Sequence, residues 1–245
     1  MATTQNTSTF IEHLADLRKR LIIIFVVNIA GALICYQFID RLIAVLLYLN
    51  PGMELIYISP AELFMVYINL AVTCSIIFCF PITATQIWTF VSKGLYKKEK
   101  FYGLVSLIAG VFFFLLGAVF SYFTALPITL HFFMRITIKD IQPMISIENY
   151  ISFCTRLIGC FGLAFELPVV VYLLSELELL KPAFFKKTKG ILILIIFIIA
   201  AIVTPPDVLT QVILAIPMIA LLQLSVGICW AIDRRKQKHG TQKRN

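Results

Sequence analysis

Six long apolar runs separated by short polar segments organise this chain. They cover about residues 21–39, 64–91, 102–126, 151–174, 190–203 and 208–232, and a helix that crosses a bilayer needs roughly 20 apolar residues. Upstream of the first run, Phe10, Leu14, Leu17 and Leu21 recur at spacings of four, three and four, which makes one helical face. Glu12, Asp16, Lys19 and Arg20 keep the same rhythm on another face. Residues 1–20 therefore read as a cytoplasmic amphipathic segment at the membrane surface, polar and disordered over 1–8. Thr9 and Glu12 form a capping box at the helix start.

The polar and proline positions mark where each element begins and ends. Pro51-Gly52 makes a turn. Ser59-Pro60-Ala61-Glu62 starts a helix, with Ser59 as N-cap, Pro60 at the first position and Glu62 at the third. Pro81 lies well inside the second run and kinks that helix rather than dividing it, and Trp88 near its end is an interfacial anchor. Pro127 ends the third run, and helix can resume beyond it. The fifth run rises only about 21 Å as a helix, against ~30 Å of hydrocarbon. Thr204-Pro205-Pro206-Asp207 then turns the chain into the sixth run. Residues 233–245 read as a basic, disordered cytoplasmic tail.

Composition fixes the class. The 245 residues are 60% hydrophobic and 14% charged, with a mean hydropathy of +0.93, whereas soluble domains carry about 25% charged residues. This is an integral membrane protein. Its net charge of +8 does not point to nucleic acid, because the basic residues sit in short loops between apolar runs. Seventeen Lys and Arg fall on the side holding both termini and 92–101 and 176–189, against three (Arg41, Arg135, Lys139) on the other. That bias places both termini in the cytoplasm, as six spans require. The first run exceeds the ~7–15 residues of a signal-peptide core and reads as a retained anchor. All six cysteines lie inside apolar runs without a CxxC pair, which suggests inert thiols, and no metal or nucleotide motif is present.

Three groups carry candidate chemistry. Glu166 stands in the middle of the fourth run, where an ionisable side chain is costly and usually functional or paired. Arg156, the cation in the same run, is about 15 Å away along a helix. Glu166 is left with three readings: a polar contact within the bundle, a polar group of another membrane-embedded chain, or a proton. Asp16 and Glu99 lie among cytoplasmic basic residues. They form local salt bridges or accept a basic ligand, a carboxylate being suited to bidentate guanidinium binding. Asp207, with Gln211, is a polar group near the outer surface that either caps the sixth helix or meets a partner. No Ser-His pair, HExxH or second intramembrane acid supports catalysis. A proton- or cation-coupled secondary transporter using Glu166 is the alternative reading.

Four segments together resemble a known family. They are His13-Leu14-Ala15-Asp16-Leu17-Arg18-Lys19-Arg20, residues 86–99, Phe161-Gly162-Leu163-Ala164-Phe165-Glu166-Leu167-Pro168-Val169, and residues 204–218 (TPPDVLTQVILAIPM). In order and topology they are similar to TatC, the multispanning receptor subunit of the twin-arginine protein translocase. The resemblance implies an all-α, glove-shaped bundle of six transmembrane helices, N-in and C-in, with the fifth and sixth short or displaced. It implies a receptor for twin-arginine signal peptides in a multimeric complex with single-span TatA/TatB-type partners. That complex moves folded proteins across a bacterial inner (plasma) membrane on the proton motive force, and no cofactor is implied. Glu99 and Asp16, with Arg18 and Tyr96 beside them, match the signal-peptide site. Glu166 between Phe165 and Pro168 matches the intramembrane partner contact, with Asp207 and Gln211 as a second polar contact. The chain departs from the family at Asp16, usually glutamate, at Lys93, usually proline, and at Phe101, often basic.

Overall fold

The hydrophobic runs fold as helices because a bilayer offers backbone groups no hydrogen-bond partner, so each must be satisfied within its own segment. The computed structural model describes residues 2–135, 144–204 and 208–242. Helices α1 (Ala2–Gln37), α2 (Ile39–Leu47) and α3 (Pro60–Val91) are followed by α4 (Lys97–Phe120) and α5 (Leu126–Arg135). Then come α6 (Ile147–Phe165), α7 (Leu167–Glu176), α8 (Pro182–Val203) and α9 (Val208–Gln242). Two three-residue strands, β1 (Glu54–Ile56) and β2 (Met144–Ser146), pair in parallel, with Leu55 opposite Ile145. Among the described residues, α1, α3, the α4–α5 unit, the α6–α7 unit and α9 are long and apolar enough to cross a membrane. Helix α8 has length but carries Lys186, Lys187 and Lys189 in its first half, so its uncharged part begins at Gly190.

Helix α6 is the centre of the core. Its Ile151, Cys154, Leu157 and Phe161 are fully buried, as is Leu126 of α5. Helices α3 and α4 flank α6, α1 packs outside α3, and α9 bridges α7 to α8. Small residues let these helices approach closely. A side chain at Gly117 would place its Cβ 2.5 Å from the Phe161 carbonyl oxygen, and one at Gly31 would meet the Ser75 hydroxyl at 2.5 Å.

The outer side is closed by polar bonds at helix ends, where backbone groups lack intrahelical partners. The Ser59 hydroxyl accepts from Glu62 N–H at 3.4 Å, as the helix-start motif requires. The Glu62 carboxylate accepts the Ile58 N–H at 2.7 Å, the Glu148 N–H at 3.4 Å and the Ser146 hydroxyl. Ser146 is the N-cap of α6, so one acid joins the starts of α3 and α6. At the end of α2, Tyr122 and Tyr150 donate to the Val45 and Leu46 carbonyls, both at 2.9 Å.

Several boundaries differ from the sequence expectation, each for a local reason. Helix α1 begins at Ala2 rather than Thr9, since 2–8 contain no proline or glycine to stop it. The connection after the first run contains α2 and β1. Helix does resume past Pro127: a π turn over Ser121–Ala125 absorbs the missing N–H and the helix continues to Arg135. The fourth run is two helices, with Glu166 between them. The basic stretch before the fifth run is mostly helix from Pro182, a residue suited to the first helical turn. The tail after Ile232 stays helical to Gln242 because its cations find acids on a neighbouring helix.

Candidate functional site

Two carboxyl groups lie at the cytoplasmic end, in different environments. Asp16, on α1, is half-buried and saturated with cations. Its Oδ2 receives Arg20 Nε at 2.8 Å and its Oδ1 receives Lys93 Nζ at 2.9 Å, and both cations favour its ionised form. Arg20 also reaches Gln86 of α3, at 3.3 Å to the side-chain oxygen and 3.5 Å to the backbone oxygen. Lys93 arrives from the 3-10 turn Ser92–Gly94, which joins α3 to α4. Two of the three departures from the family pattern, Lys93 and Asp16, are therefore direct partners.

Glu99 stands at the third position of α4, where its Oε2 accepts the Tyr96 N–H at 2.8 Å. This bond ties off a free donor of the helix start, and the acid sits at the positive end of the helix dipole. No cation approaches Glu99 among the described residues. The Tyr96 ring beside it is exposed. Arg18 is exposed on α1, at a groove of about 1000 Å³ between α1 and α3. Apolar side chains, including Leu17, Leu21, Phe25, Val72, Ile76 and Phe80, line most of that groove.

Glu166 marks the break in the fourth span. Pro168, at the second position of α7, has no N–H for the Ala164 carbonyl, and its ring crowds that carbonyl. The chain tightens there: Glu166 N–H donates to the Leu163 oxygen at 3.1 Å, and Val170 N–H returns to the Glu166 oxygen at 2.9 Å. Pro168 is buried, while Phe165 stacks on Phe120 with ring centroids 5.4 Å apart. The Glu166 side chain points into a cavity of about 280 Å³ between α3, α4 and α7, shared with Trp88, Gly103, Ser106, Gly110 and Val169.

Glycines make that cavity. A Cβ at Gly103 would fall 1.6 Å from the Trp88 ring, so the indole occupies the notch, half-buried inside the bundle. A Cβ at Gly110 would stand 3.1 Å from Glu166 Oε2 and 3.4 Å from Oε1. Glu166 Oε1 and the Ser106 hydroxyl are buried with no hydrogen-bond partner among the described residues. Buried polar groups are nearly always satisfied, so this cavity gathers two polar atoms whose partners do not come from the described residues. Sequence reading missed Ser106 and Gly110; their spacing of four on α4 is the signal that places them on one face.

Gln211 and Glu176 are committed to contacts within the bundle. Gln211 donates to the Phe197 carbonyl at 2.9 Å, holding α9 to α8, and Asp207 lies outside the described residues. Glu176, which the sequence assigns to a loop, ends α7 with its side chain buried and paired to Arg235. Lys236 donates to the Glu176 carbonyl at 2.7 Å and the Ser175 carbonyl at 3.2 Å. A cation on the last carbonyls of a helix is favourable, and it latches α7, the segment after Glu166, to α9.

Comparison with known proteins bears on this geometry. The sequence pattern of the family described as TatC, Sec-independent protein translocase protein, matches residues 12–217. A Sec-independent protein translocase protein TatC from Desulforapulum autotrophicum is 36% identical over 231 residues, covering 92% of this chain and 86% of the relative. One from Carboxydothermus hydrogenoformans is 37% identical over 223 residues, covering 90% and 92% respectively. The fold is similar to a crystal structure of the twin arginine translocase receptor TatC, with a TM-score of 0.81 and 34% identity. That likeness covers 90% of this chain and 99% of the other.

Proposed function

Since the chain belongs to the TatC family of Sec-independent protein translocase proteins, we propose that it is the membrane receptor that binds signal peptides carrying paired arginines and gathers single-span TatA/TatB-type partners around the translocating protein. The proton motive force drives export of the folded cargo, and the setting is a bacterial plasma membrane. Its role is transport rather than catalysis. The matches to translocase proteins favour this over a small-solute transporter using Glu166.

The observation that carries the reading is the division of labour between two carboxyl sites. Glu99 is an exposed-side acid with its backbone bond already made and no cation on it among the described residues, which suits a guanidinium arriving from the cytoplasm. Tyr96 offers it an exposed ring. The apolar groove by Arg18 suits the apolar segment that follows the charged start of a signal peptide. Glu166, deep in the span with an unmet oxygen, suits a polar side chain of a partner helix.

The test is binding of a twin-arginine peptide, by crosslinking or pull-down, to the full-length protein in lipid nanodiscs. Glu99→Ala and Glu99→Gln are expected to weaken binding by about tenfold or more, the usual worth of a hydrogen bond to a charged group. Unchanged binding in both variants overturns the assignment.

A further inference from the structure

The two cytoplasmic acids are not equally open to a ligand, and the difference lies in one residue. Both oxygens of Asp16 are occupied from within the chain, Oδ2 by Arg20 and Oδ1 by Lys93. Arg20 is firmly placed: its side chain is 14% exposed, lies one helical turn from Asp16 and holds Gln86 as well. Lys93 is not. Its side chain is 47% exposed and it rides on a short turn whose closing bond, Leu95 N–H to the Ser92 oxygen, is long at 3.4 Å. At the neighbouring Gly94 the space where a Cβ would stand is open, with no atom within 4 Å.

We propose that Lys93 is an internal stand-in for one arginine of the signal peptide, and that it sets the receptor's affinity by competing for Asp16. This inference rests on the signal-peptide reading above. A lysine ammonium is a point charge that forms a single contact with a carboxylate, whereas a guanidinium matches carboxylate geometry and is less costly to desolvate. An arriving arginine therefore exchanges with Lys93 at Oδ1. Glu99 has no such competitor among the described residues and takes the other arginine directly. The exchange favours paired arginines over paired lysines, because a lysine in the peptide replaces Lys93 with its own equivalent. With Arg20 already paired to Asp16, Lys93 leaves the empty site with a surplus positive charge, which discourages capture of singly charged peptides.

The experiment measures dissociation constants of a synthetic twin-arginine peptide and its twin-lysine counterpart for the full-length protein in nanodiscs. Lys93→Ala is expected to tighten the twin-arginine peptide by about two- to fivefold, the range set by a single exposed ion pair. It also narrows the preference over twin-lysine. Lys93→Arg, which preserves charge and grips Asp16 with a fork, is expected to weaken binding. Lys100→Ala controls for simple loss of positive charge nearby and should shift binding less than Lys93→Ala. In an Asp16→Asn background the effect of Lys93→Ala should vanish.

Equal effects of Lys93→Ala and Lys100→Ala, or a Lys93→Ala effect that survives Asp16→Asn, overturn the proposal. A peptide that binds through Glu99 but ignores Lys93 removes this inference alone. A peptide indifferent to Glu99 and Lys93 alike removes the signal-peptide reading and this inference together.

Discussion

Glu62 and Glu166 are both carboxyl groups at helix ends inside an apolar bundle, and they have opposite fates. Glu62 has three donors, from Ile58, Ser146 and Glu148, and it fastens the start of α3 to the start of α6. Glu166 has an oxygen buried without a partner among the described residues, in a cavity walled by glycines and a tryptophan. The first acid has both oxygens hydrogen-bonded within the chain, and it holds two helix starts in place. The second has an oxygen with no partner among the described residues, which is why the proposed function gives it a polar group of a partner helix. A buried acid with both oxygens hydrogen-bonded inside the chain supports structure, whereas the proposed role of Glu166 is to meet a polar group of a partner helix.

The largest effect that would break this contrast is on stability. Glu62→Ala leaves two part-buried backbone donors and a hydroxyl without their acceptor, and is expected to cost about 1–3 kcal/mol. The measurement is unfolding of the full-length protein in a fixed detergent. Peptide binding per folded molecule should be unchanged, because the site lies at the other end of the bundle. Glu166→Ala should behave in the reverse way. Its unfolding free energy is expected to stay within about 1 kcal/mol. Co-purification of a single-span partner is expected to fall by roughly three- to twentyfold, the range for one polar contact between membrane helices. Loss of stability with assembly intact would place Glu166 in the same class as Glu62.

How much of this was legible in the sequence depends on the range of the interaction involved. Glu166 stands out because one acid in an apolar run violates a local pattern, and Ser59-Pro60-Ala61-Glu62 announces a helix start in four residues. The break at Glu166 is also local, since Pro168 follows two positions on, yet the run of apolar residues around it reads as one span. What cannot be read locally is the partner set of each acid. Glu62 is joined to Ser146, and Asp16 to Lys93, only after helices have packed. Likewise Arg235 and Lys236 look like part of a free tail until α7 brings Glu176 beneath them. In the sequence Lys93 stands out only as a departure from the family's proline. Its role as a counter-charge comes from the turn that carries it to α1.

The sharpest probe of the contrast is also the smallest change. Gly110→Ala puts one methyl group where a Cβ would stand 3.1 Å from Glu166 Oε2. That is tighter than ordinary contact, so the carboxyl group must shift by a few tenths of an ångström. Alanine is the better helix former by about 1 kcal/mol, which offsets the crowding, and the unfolding free energy is expected to change by less than about 1 kcal/mol. Partner assembly is expected to fall by about twofold, because an interhelical hydrogen bond loses strength as its acceptor leaves the line of the donor. Glu166→Gln in the same background should show no further dependence on residue 110 if the acid is the element being displaced, since the two changes then act through one contact. Full additivity of the two variants would mean that Gly110 serves helix packing alone, and that the open space around Glu166 is not tuned for a ligand.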